Sequence, residues 1–274
     1  MNYVWRRVLG CLVFSAALPI STAAQTPKLV DIGGRSLEVV QLGSGSPTVV
    51  FEAGLAASLS AWGSIPKMVA DLSSVVSYSR AGQGASSPDP DLRTPQKIAE
   101  ELRALLQQVG AKPPYILVGH SIGGLYVRTF AGLYPSDVAG LVLLDGSHER
   151  QAIVAASLSP TGQAPAPTFQ GTAAAEWAGL AETLRTGKLP SGPLPDVPMA
   201  VITSTQTGLG PGAEGKAAWR DLQAEIFRPT TYGMQIVTRR SSHLVPLDQP
   251  NMVVDAIEWV LNAVRSEAPR ANGG

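Results

Sequence analysis

Ser121 is the residue whose surroundings best suit nucleophilic chemistry. It lies in the segment GHSIG, between two glycines, directly after the apolar run YILV. Small residues on both sides of a serine allow a sharp strand-to-helix turn that exposes the hydroxyl at the carboxyl end of a sheet. The pattern predicts a nucleophile, and the alternative is a tight turn in which Ser121 only caps the following helix.

A serine needs a base, and the chain offers three histidines. His120 is adjacent to Ser121 and is expected to point away from it. His243 follows the last predicted strand, and the ends of parallel strands share one edge of the sheet, so His243 can meet Ser121 there. We predict His243 as the general base. His148 is the main alternative, and His243 could instead be a loop histidine with a local role.

A carboxylate should orient the imidazole, and Asp145 is the best candidate. It directly ends the apolar strand GLVLL, one strand beyond the serine, whereas the strand before the last has no carboxylate until Glu214. Asp248 lies too close to His243 along the chain, and Asp196 precedes its strand, at the wrong edge. We therefore predict Asp145 as the acid. An ordinary turn or capping residue is the alternative for Asp145.

Acyl transfer also needs donors for the developing oxyanion. The N–H of Ile122, the residue after the serine, is predicted as one donor. The N–H of Leu55, in the loop after the strand TVVF, is predicted as the other, and Gly54 beside it permits a close backbone approach. Gly54, Trp62 and Trp177 are also candidates for a substrate pocket. As the alternative, a tryptophan at such a position is more often a core residue than part of a pocket.

The elements that must position these residues alternate between strands and helices. Continuous apolar runs such as VVF, YILV and GLVLL are typical of parallel strands that helices cover on both faces. A hairpin is predicted over residues 28–42, strands over 47–53, 74–79, 115–118, 139–144, 199–203 and 235–239, and helices over 61–72, 94–109, 122–134, 215–226 and 252–264. The sequence predicts a doubly wound, mostly parallel α/β sheet.

The alternation stops over about residues 147–196, which are rich in proline and alanine and show only a short helical pattern at 173–184. Long loops without secondary structure are rare in compact domains. We predict a short helical cap inserted into a single domain of residues 25–274. A disordered insertion is the alternative.

The first 24 residues are predicted to be a secretory signal peptide. Arg6 and Arg7 precede the apolar run VLGCLVFSAAL, and the small residues STAA follow it. The run is too short to span a bilayer comfortably, so no stable membrane insertion is expected after cleavage. Cys11, the sole cysteine, would leave with this segment. We therefore predict a secreted or periplasmic location. The alternative for these residues is a disordered or membrane-anchoring N-terminus.

Charge and motifs narrow the class of partner. Basic and acidic residues both number 21, and no basic cluster exceeds Arg239-Arg240, so a nucleic acid partner is not expected. No histidine pair has metal-ligand spacing, and no GxGxxG follows a strand, so no metal or organic cofactor is predicted. The expected partner is a small molecule. The oligomeric state is left open.

With these residues in place the chain resembles the α/β-hydrolase superfamily, in particular serine esterases and lipases. The matching segments are FEAGL, YSRAGQG, LVGHSIGG, GLVLLD and SHLVPLDQP, and they extend along nearly all of the chain after residue 24. The sequence resembles the subset whose acid follows the strand after the nucleophile. It departs from the commonest pattern in having Tyr78-Ser79, and not Tyr-Asp, before Arg80.

The resemblance implies ester cleavage through an acyl-enzyme intermediate on Ser121, with the α/β-hydrolase fold as scaffold. A lactonase would use the same residues on a cyclic ester. A haloalkane dehalogenase or epoxide hydrolase would need an aspartate at position 121. A non-catalytic binding protein on this fold is the alternative from another class.

Overall fold

A computed structural model describes residues 26–163 and 168–271, with side chains as far as residue 266, and its centre is one eight-stranded sheet. The strands are β1 (Lys28–Asp31), β2 (Ser36–Leu42), β3 (Thr48–Glu52), β4 (Val75–Tyr78), β5 (Tyr115–His120), β6 (Val138–Leu144), β7 (Met199–Ser204) and β8 (Gly233–Thr238). Their spatial order is β1-β2-β4-β3-β5-β6-β7-β8. The predicted signal peptide lies outside the described residues.

The sheet is mostly parallel, as predicted. β1 and β2 form the predicted antiparallel hairpin, and β2 also runs antiparallel to β4. All pairs from β4 through β8 are parallel. The carboxyl ends of six strands, β3 to β8, therefore meet at one edge, where the loops with the candidate site residues begin.

The helices are α1 (Ile65–Ala70), α2 (Pro95–Gln108), α3 (Ile122–Leu133), α4 (Gln151–Leu158), α5 (Gly171–Gly179), α6 (Ala181–Thr186), α7 (Gly212–Phe227), α8 (Val245–Asp248) and α9 (Pro250–Ala271). Two short 3₁₀ helices, Leu59–Trp62 and Pro135–Asp137, complete the set for the described residues. None of the helices in this part of the chain combines the length and apolar character required to cross a membrane.

Both faces of the sheet carry an apolar core. Successive side chains of a strand point to opposite faces, so β5 serves both layers. Leu117 packs into the cluster with residues of α2, α3 and α7, whereas Ile116 packs into the cluster with residues of α1 and α9. This two-sided burial explains why the central strands are apolar without interruption.

The segment between β6 and β7, here called the cap, corresponds to the predicted insertion. Its described residues contain three short helices, α4, α5 and α6, and no strand. The helical pattern predicted at 173–184 is present but divided, because α5 ends at Gly179 and α6 begins at Ala181. Leu180 and Leu184 pack with Ile122 and Tyr126 of α3, so the cap lies against the helix that begins after Ser121.

Candidate active site

The structure brings together three of the residues selected from the sequence. Ser121 follows β5, Asp145 follows β6, and His243 lies beyond β8. His243 Nε2 is 2.9 Å from Ser121 Oγ, and His243 Nδ1 is 2.7 Å from Asp145 Oδ2. Both distances are those of hydrogen bonds. In the chain, however, His243 lies 122 positions from Ser121 and 98 positions from Asp145. A serine, an imidazole and a carboxylate in this order form the arrangement that activates a hydroxyl.

Ser121 occupies a strained turn between β5 and α3. Its φ of 55° and ψ of −125° are unusual for any residue other than glycine. A Cβ at Gly119 would lie 2.7 Å from the oxygen of Gly123, and a Cβ at Gly123 would lie 2.2 Å from the oxygen of Glu52. The two glycines of GHSIG are therefore required by close packing of the turn against α3 and β3.

The turn is also held by β6 and the loop after it. The N–H of Ser121 donates to the carbonyl of Leu144 at 3.2 Å, and the carbonyl of Ser121 accepts from the N–H of Ser147 at 2.7 Å. Leu144 and Ser147 lie on either side of Asp145 in the chain. The backbone that carries the serine is thus bonded directly to the backbone that carries the carboxylate.

Asp145 is fully buried, and four donors contact its carboxylate. Oδ1 accepts from the N–H of Ser204 at 3.0 Å and from Trp219 Nε1 at 2.8 Å. Oδ2 accepts from the hydroxyl of Thr207 and from His243 Nδ1. Hydrogen bonds from several donors fix the orientation of a carboxylate. The bond to Oδ2 in turn requires that Nδ1 of His243 carries its proton.

Sequence reasoning missed Trp219 and Thr207 as partners of Asp145. Trp219 lies on α7 and is buried, and Thr207 belongs to the polar segment that follows β7. The sequence of that segment shows no carboxylate before Glu214. Its threonines are the available signal, because a buried carboxylate at the end of the adjacent strand needs donors from this loop.

His120 orders the loop that carries the imidazole. Its Nε2 lies 2.8 Å from the carbonyl oxygen of His243, and because a carbonyl only accepts, Nε2 must carry the proton. Burial lowers the pKa of His120 to about 4, and the adjacent charge of His243 contributes in the same direction. His120 is therefore neutral near neutral pH and serves as a donor to the loop.

The alternatives for base and acid lie in other surroundings. His148 is buried at the start of the cap, where its Nδ1 accepts from the N–H of Arg150 at 3.0 Å, and burial lowers its pKa to about 4. Glu214 is exposed in the first turn of α7. Asp248 accepts hydrogen bonds from the serines before His243, and Asp196 accepts from Thr231. None of these three carboxylates is recorded as a partner of His243 among the described residues.

Two N–H groups are available beside Ser121 for a developing negative charge. Ile122 is the first residue of α3, where helical N–H groups lack an intrahelical acceptor. Leu55 lies in the turn after β3, and within residues 26–163 and 168–271 neither N–H has a recorded backbone acceptor. A Cβ at Gly54 would lie 3.2 Å from His120 Nδ1 and 3.4 Å from Ser121 Cβ, so this turn packs closely on the nucleophile turn.

A small cleft opens above Ser121. It has a volume of about 280 Å³ and is lined by Gly54, His120 and His243 together with the apolar side chains of Leu55, Leu244 and Leu247. Leu244 and Leu247 are about half exposed at its edge. Of the described residues that line it, none is Lys, Arg, Asp or Glu. The cleft therefore favours uncharged, apolar groups.

The two tryptophans predicted for a substrate pocket lie elsewhere. Trp62 is only 1% exposed, and its ring packs edge-on against Phe51 with centroids 4.9 Å apart, so it belongs to the core. Its predicted substrate contact is therefore wrong. Trp177 is partly buried on α5, packs against the cluster that includes Ile122, and lies 5.4 Å from the ring of Phe169. It supports the cap and is not part of the cleft lining.

The structure gives Ser79 a clear role. Its hydroxyl donates to Glu38 Oε2 at 2.7 Å and accepts from the N–H of Leu59 at 3.0 Å. The side chain thereby connects β2 to the 3₁₀ helix Leu59–Trp62. A carboxylate at position 79 would face Glu38, so the serine in YSRAG is matched to the glutamate on the neighbouring strand.

Metal-binding residues are not clustered in the described part of the chain. No group of three or more His, Cys, Asp or Glu side chains in it has a geometry suited to a metal ion.

The chain is similar to known proteins over most of its length. It is 29% identical over 226 residues to the uncharacterized protein YqjL of Bacillus subtilis (strain 168), and the matched region covers 82% of this chain and 88% of YqjL. The structure of alpha/beta hydrolase domain-containing protein 10 from mouse has a TM-score of 0.68 at 17% identity, over 87% of this chain and 99% of that one. The enol-lactonase from Burkholderia xenovorans LB400 has a TM-score of 0.66 at 16% identity, over 86% and 100% of the two chains.

At such identities the two structures establish the fold alone. A family model described as alpha/beta hydrolase fold matches residues 47–215, more than half of the chain. The match begins just before β3 and ends within α7, so it includes the turns that carry Ser121 and Asp145. The resemblance seen in the sequence motifs is thereby confirmed, and the chain belongs to the α/β-hydrolase family.

Proposed function

We propose that this protein is a serine hydrolase that cleaves carboxylic esters through an acyl-enzyme intermediate. The observation that carries the proposal is the continuous chain of hydrogen bonds from Ser121 Oγ through His243 to the buried carboxylate of Asp145. A serine hydroxyl is a poor nucleophile alone, and this chain supplies both a base and the charge that stabilises the base once protonated.

In the acylation half-reaction, Ser121 Oγ attacks the ester carbonyl carbon while His243 Nε2 takes the hydroxyl proton. The carbonyl π electrons move to oxygen, and the resulting oxyanion lies between the N–H groups of Leu55 and Ile122. When the intermediate collapses, the carbon–oxygen bond to the alcohol breaks, and His243 returns the proton to the departing alkoxide. The products are the free alcohol and an ester of Ser121.

In the deacylation half-reaction, water takes the place of the alcohol. His243 removes one proton from the water as its oxygen attacks the acyl carbon, and the same two N–H groups face the second oxyanion. Collapse breaks the bond to Ser121 Oγ, which regains its proton from His243. The carboxylic acid is released, and the enzyme returns to its starting state. Asp145 keeps Nδ1 protonated throughout, so that Nε2 is always the nitrogen that exchanges protons.

Replacement of Ser121 by alanine should abolish turnover of p-nitrophenyl acetate. We expect a fall in kcat of at least about 10⁴-fold, because the variant has no nucleophile. Release of p-nitrophenol measures this, and circular dichroism checks that the fold is retained. Ser64→Ala, at an exposed position, is the control and should keep wild-type activity. Unchanged turnover in Ser121→Ala would contradict the proposal, as would failure of a fluorophosphonate to label folded wild-type protein.

Replacement of Asp145 by asparagine should lower kcat by about 10³-fold to 10⁴-fold. The amide removes the negative charge beside the imidazole and can present an NH₂ group to Nδ1, which favours the wrong tautomer. Glu214→Gln is the matched carboxylate-to-amide control, and because Glu214 is exposed in α7 it should leave kcat unchanged. A large loss of kcat in Glu214→Gln alone would mean that Glu214, and not Asp145, is the acid of the triad. Ester hydrolysis under saturating substrate provides the measurement.

The cleft favours short, uncharged acyl groups. A volume of about 280 Å³ lies at the lower end of ligand pockets in general, and the described residues that line it include no Lys or Arg to pair with a substrate carboxylate. An anionic group placed there would lose its hydration without gaining a partner. Small lactones are the second candidate class, since a cyclic ester undergoes the same two half-reactions on the same residues.

A substrate series should separate these classes. p-Nitrophenyl butyrate should exceed both p-nitrophenyl laurate and the singly charged p-nitrophenyl hemisuccinate in kcat/KM by about 10-fold or more, because neither the long chain nor the carboxylate suits the cleft. A parallel panel of γ-butyrolactone and δ-valerolactone, followed by pH-stat titration, compares ring opening with linear ester cleavage. Preference for laurate or hemisuccinate would refute the assignment of substrate class, and faster turnover of the lactones would favour the lactonase.

We propose further that the enzyme acts after export. The proposal is supported by the order of residues 6–24, in which two arginines, an apolar run and four small residues succeed one another. Expression of the full chain in a bacterial host, followed by mass spectrometry of the exported fraction, should give a protein that begins at Gln25. Recovery of intact chain only from the cytoplasm would contradict export.

A further inference from the structure

A buried guanidinium connects the turn after β3 with the cap. Arg80, which follows β4, is 2% exposed. Its Nη1 and Nη2 each donate at 2.7 Å to the turn, to the carbonyls of Ala53 and Gly54 respectively. Its Nε and Nη2 donate to the two carboxylate oxygens of Glu176 at 2.7 Å and 2.9 Å. Glu176 is fully buried and is the only charged residue of α5.

The same carboxylate also contacts the turn itself. Glu176 Oε2 accepts from the N–H of Ala56 at 3.4 Å, and Ala56 has a φ of 55°, a left-handed conformation that is unusual for alanine. The peptide groups before and after Leu55 are thus both held by the pair Arg80 and Glu176. The N–H of Leu55, between them, has no recorded backbone acceptor among the described residues.

Stability alone does not explain this cluster. Arg80 also pairs with Glu52 at 2.6 Å, and Glu52 accepts a hydrogen bond from the hydroxyl of Tyr78, so one guanidinium faces two carboxylates. Burial raises the pKa of Glu52 despite its pairing with Arg80. Buried ion pairs often contribute no more to stability than apolar side chains of the same volume would. The directional hydrogen bonds of an ion pair, however, fix the geometry of their partners in a way that apolar side chains cannot.

We propose that Arg80 and Glu176 are positioning residues for ester hydrolysis, which aim the N–H of Leu55 at the developing oxyanion. The inference rests on the proposed function and adds the cap to the site, because Glu176 belongs to α5. The cap thereby affects the transition state without contacting the substrate. Displacement of α5 would release Ala56 and Arg80 together and would turn the Leu55 N–H away from the cleft.

Replacement of Glu176 by glutamine tests this coupling. Both carboxylate oxygens of Glu176 accept from N–H groups, so whichever way the amide is oriented, its NH₂ group faces Arg80 or Ala56. The volume of the side chain is nearly unchanged. Glu182→Gln is the matched control, because Glu182 lies in the same cap but pairs with Arg185 at the surface. It should leave every measured quantity unchanged.

The measurements separate positioning from folding. Active sites are counted by complete labelling with a fluorophosphonate, and kcat for p-nitrophenyl acetate is expressed per labelled site. We expect Glu176→Gln to lower this kcat between about 10-fold and 100-fold, somewhat less than complete loss of one oxyanion donor, with KM changed less than about threefold. The inhibition constant of butylboronic acid, whose adduct with Ser121 places a hydroxyl at the oxyanion position, should rise by a similar factor.

The outcomes distinguish the inference from the function on which it rests. The inference would be overturned if Glu176→Gln kept the wild-type kcat per labelled site and the wild-type affinity for the boronic acid, even with a lower melting temperature. The proposed ester hydrolase function would then remain intact. Wild-type protein that neither turns over esters nor takes up the fluorophosphonate would overturn both. If Glu176→Gln does not accumulate in folded form, Glu176→Asp replaces it, since it keeps the charge but shortens the reach, and the same two results decide.

Discussion

The backbone conformation of Ser121 is the constraint on which the rest of the site depends. A residue with a side chain and a positive φ is unfavourable by about 1–3 kcal/mol, so it persists only where its surroundings leave no other conformation. Close contacts at Gly119 and Gly123 and the hydrogen bonds to Leu144 and Ser147 provide those surroundings. The hydroxyl points into the cleft because the core on both sides of the sheet fixes the strands from which these contacts come.

A second strained turn follows directly from the first. Asp145 has a φ of 46°, and a Cβ at Gly124 would lie 3.0 Å from the Cα of Gly146, so the first turn of α3 packs closely against the turn after β6. Because β6 pairs directly with β5, the carboxylate lies one strand from the nucleophile. The last residue of β7 and the loop after it then contribute donors, the Ser204 N–H and the Thr207 hydroxyl, and no acid. The polar character of that loop is a consequence of where the carboxylate lies.

Local patterns were sufficient to predict the strands, most helices and the residues that meet at the sheet edge. Apolar runs identify the buried strands, and the parallel order brings their carboxyl ends together, so Ser121, Asp145 and His243 could be selected from the sequence. Side-chain partners across the fold could not be selected in this way. Trp219 contacts Asp145 across 74 positions of chain, and Arg80 contacts Glu176 across 96. No periodicity links such pairs, because their proximity arises from tertiary packing alone.

Trp62 and Glu176 also show that residue type alone does not determine whether a side chain lies in a pocket, in the core or at the surface. An aromatic residue near the turn after β3 is by type more often core than pocket lining, and the burial of Trp62 and its contact with Phe51 place it in the core. A lone glutamate in the alanine-rich helix α5 suits a solvated face by type, yet it is buried and bound to Arg80. Burial of a charge is costly unless its hydrogen bonds are complete, and those of Glu176 are completed by Arg80 and by the N–H of Ala56. The position of the cap and the shape of the turn are therefore mutually dependent, since neither satisfies its buried polar groups without the other.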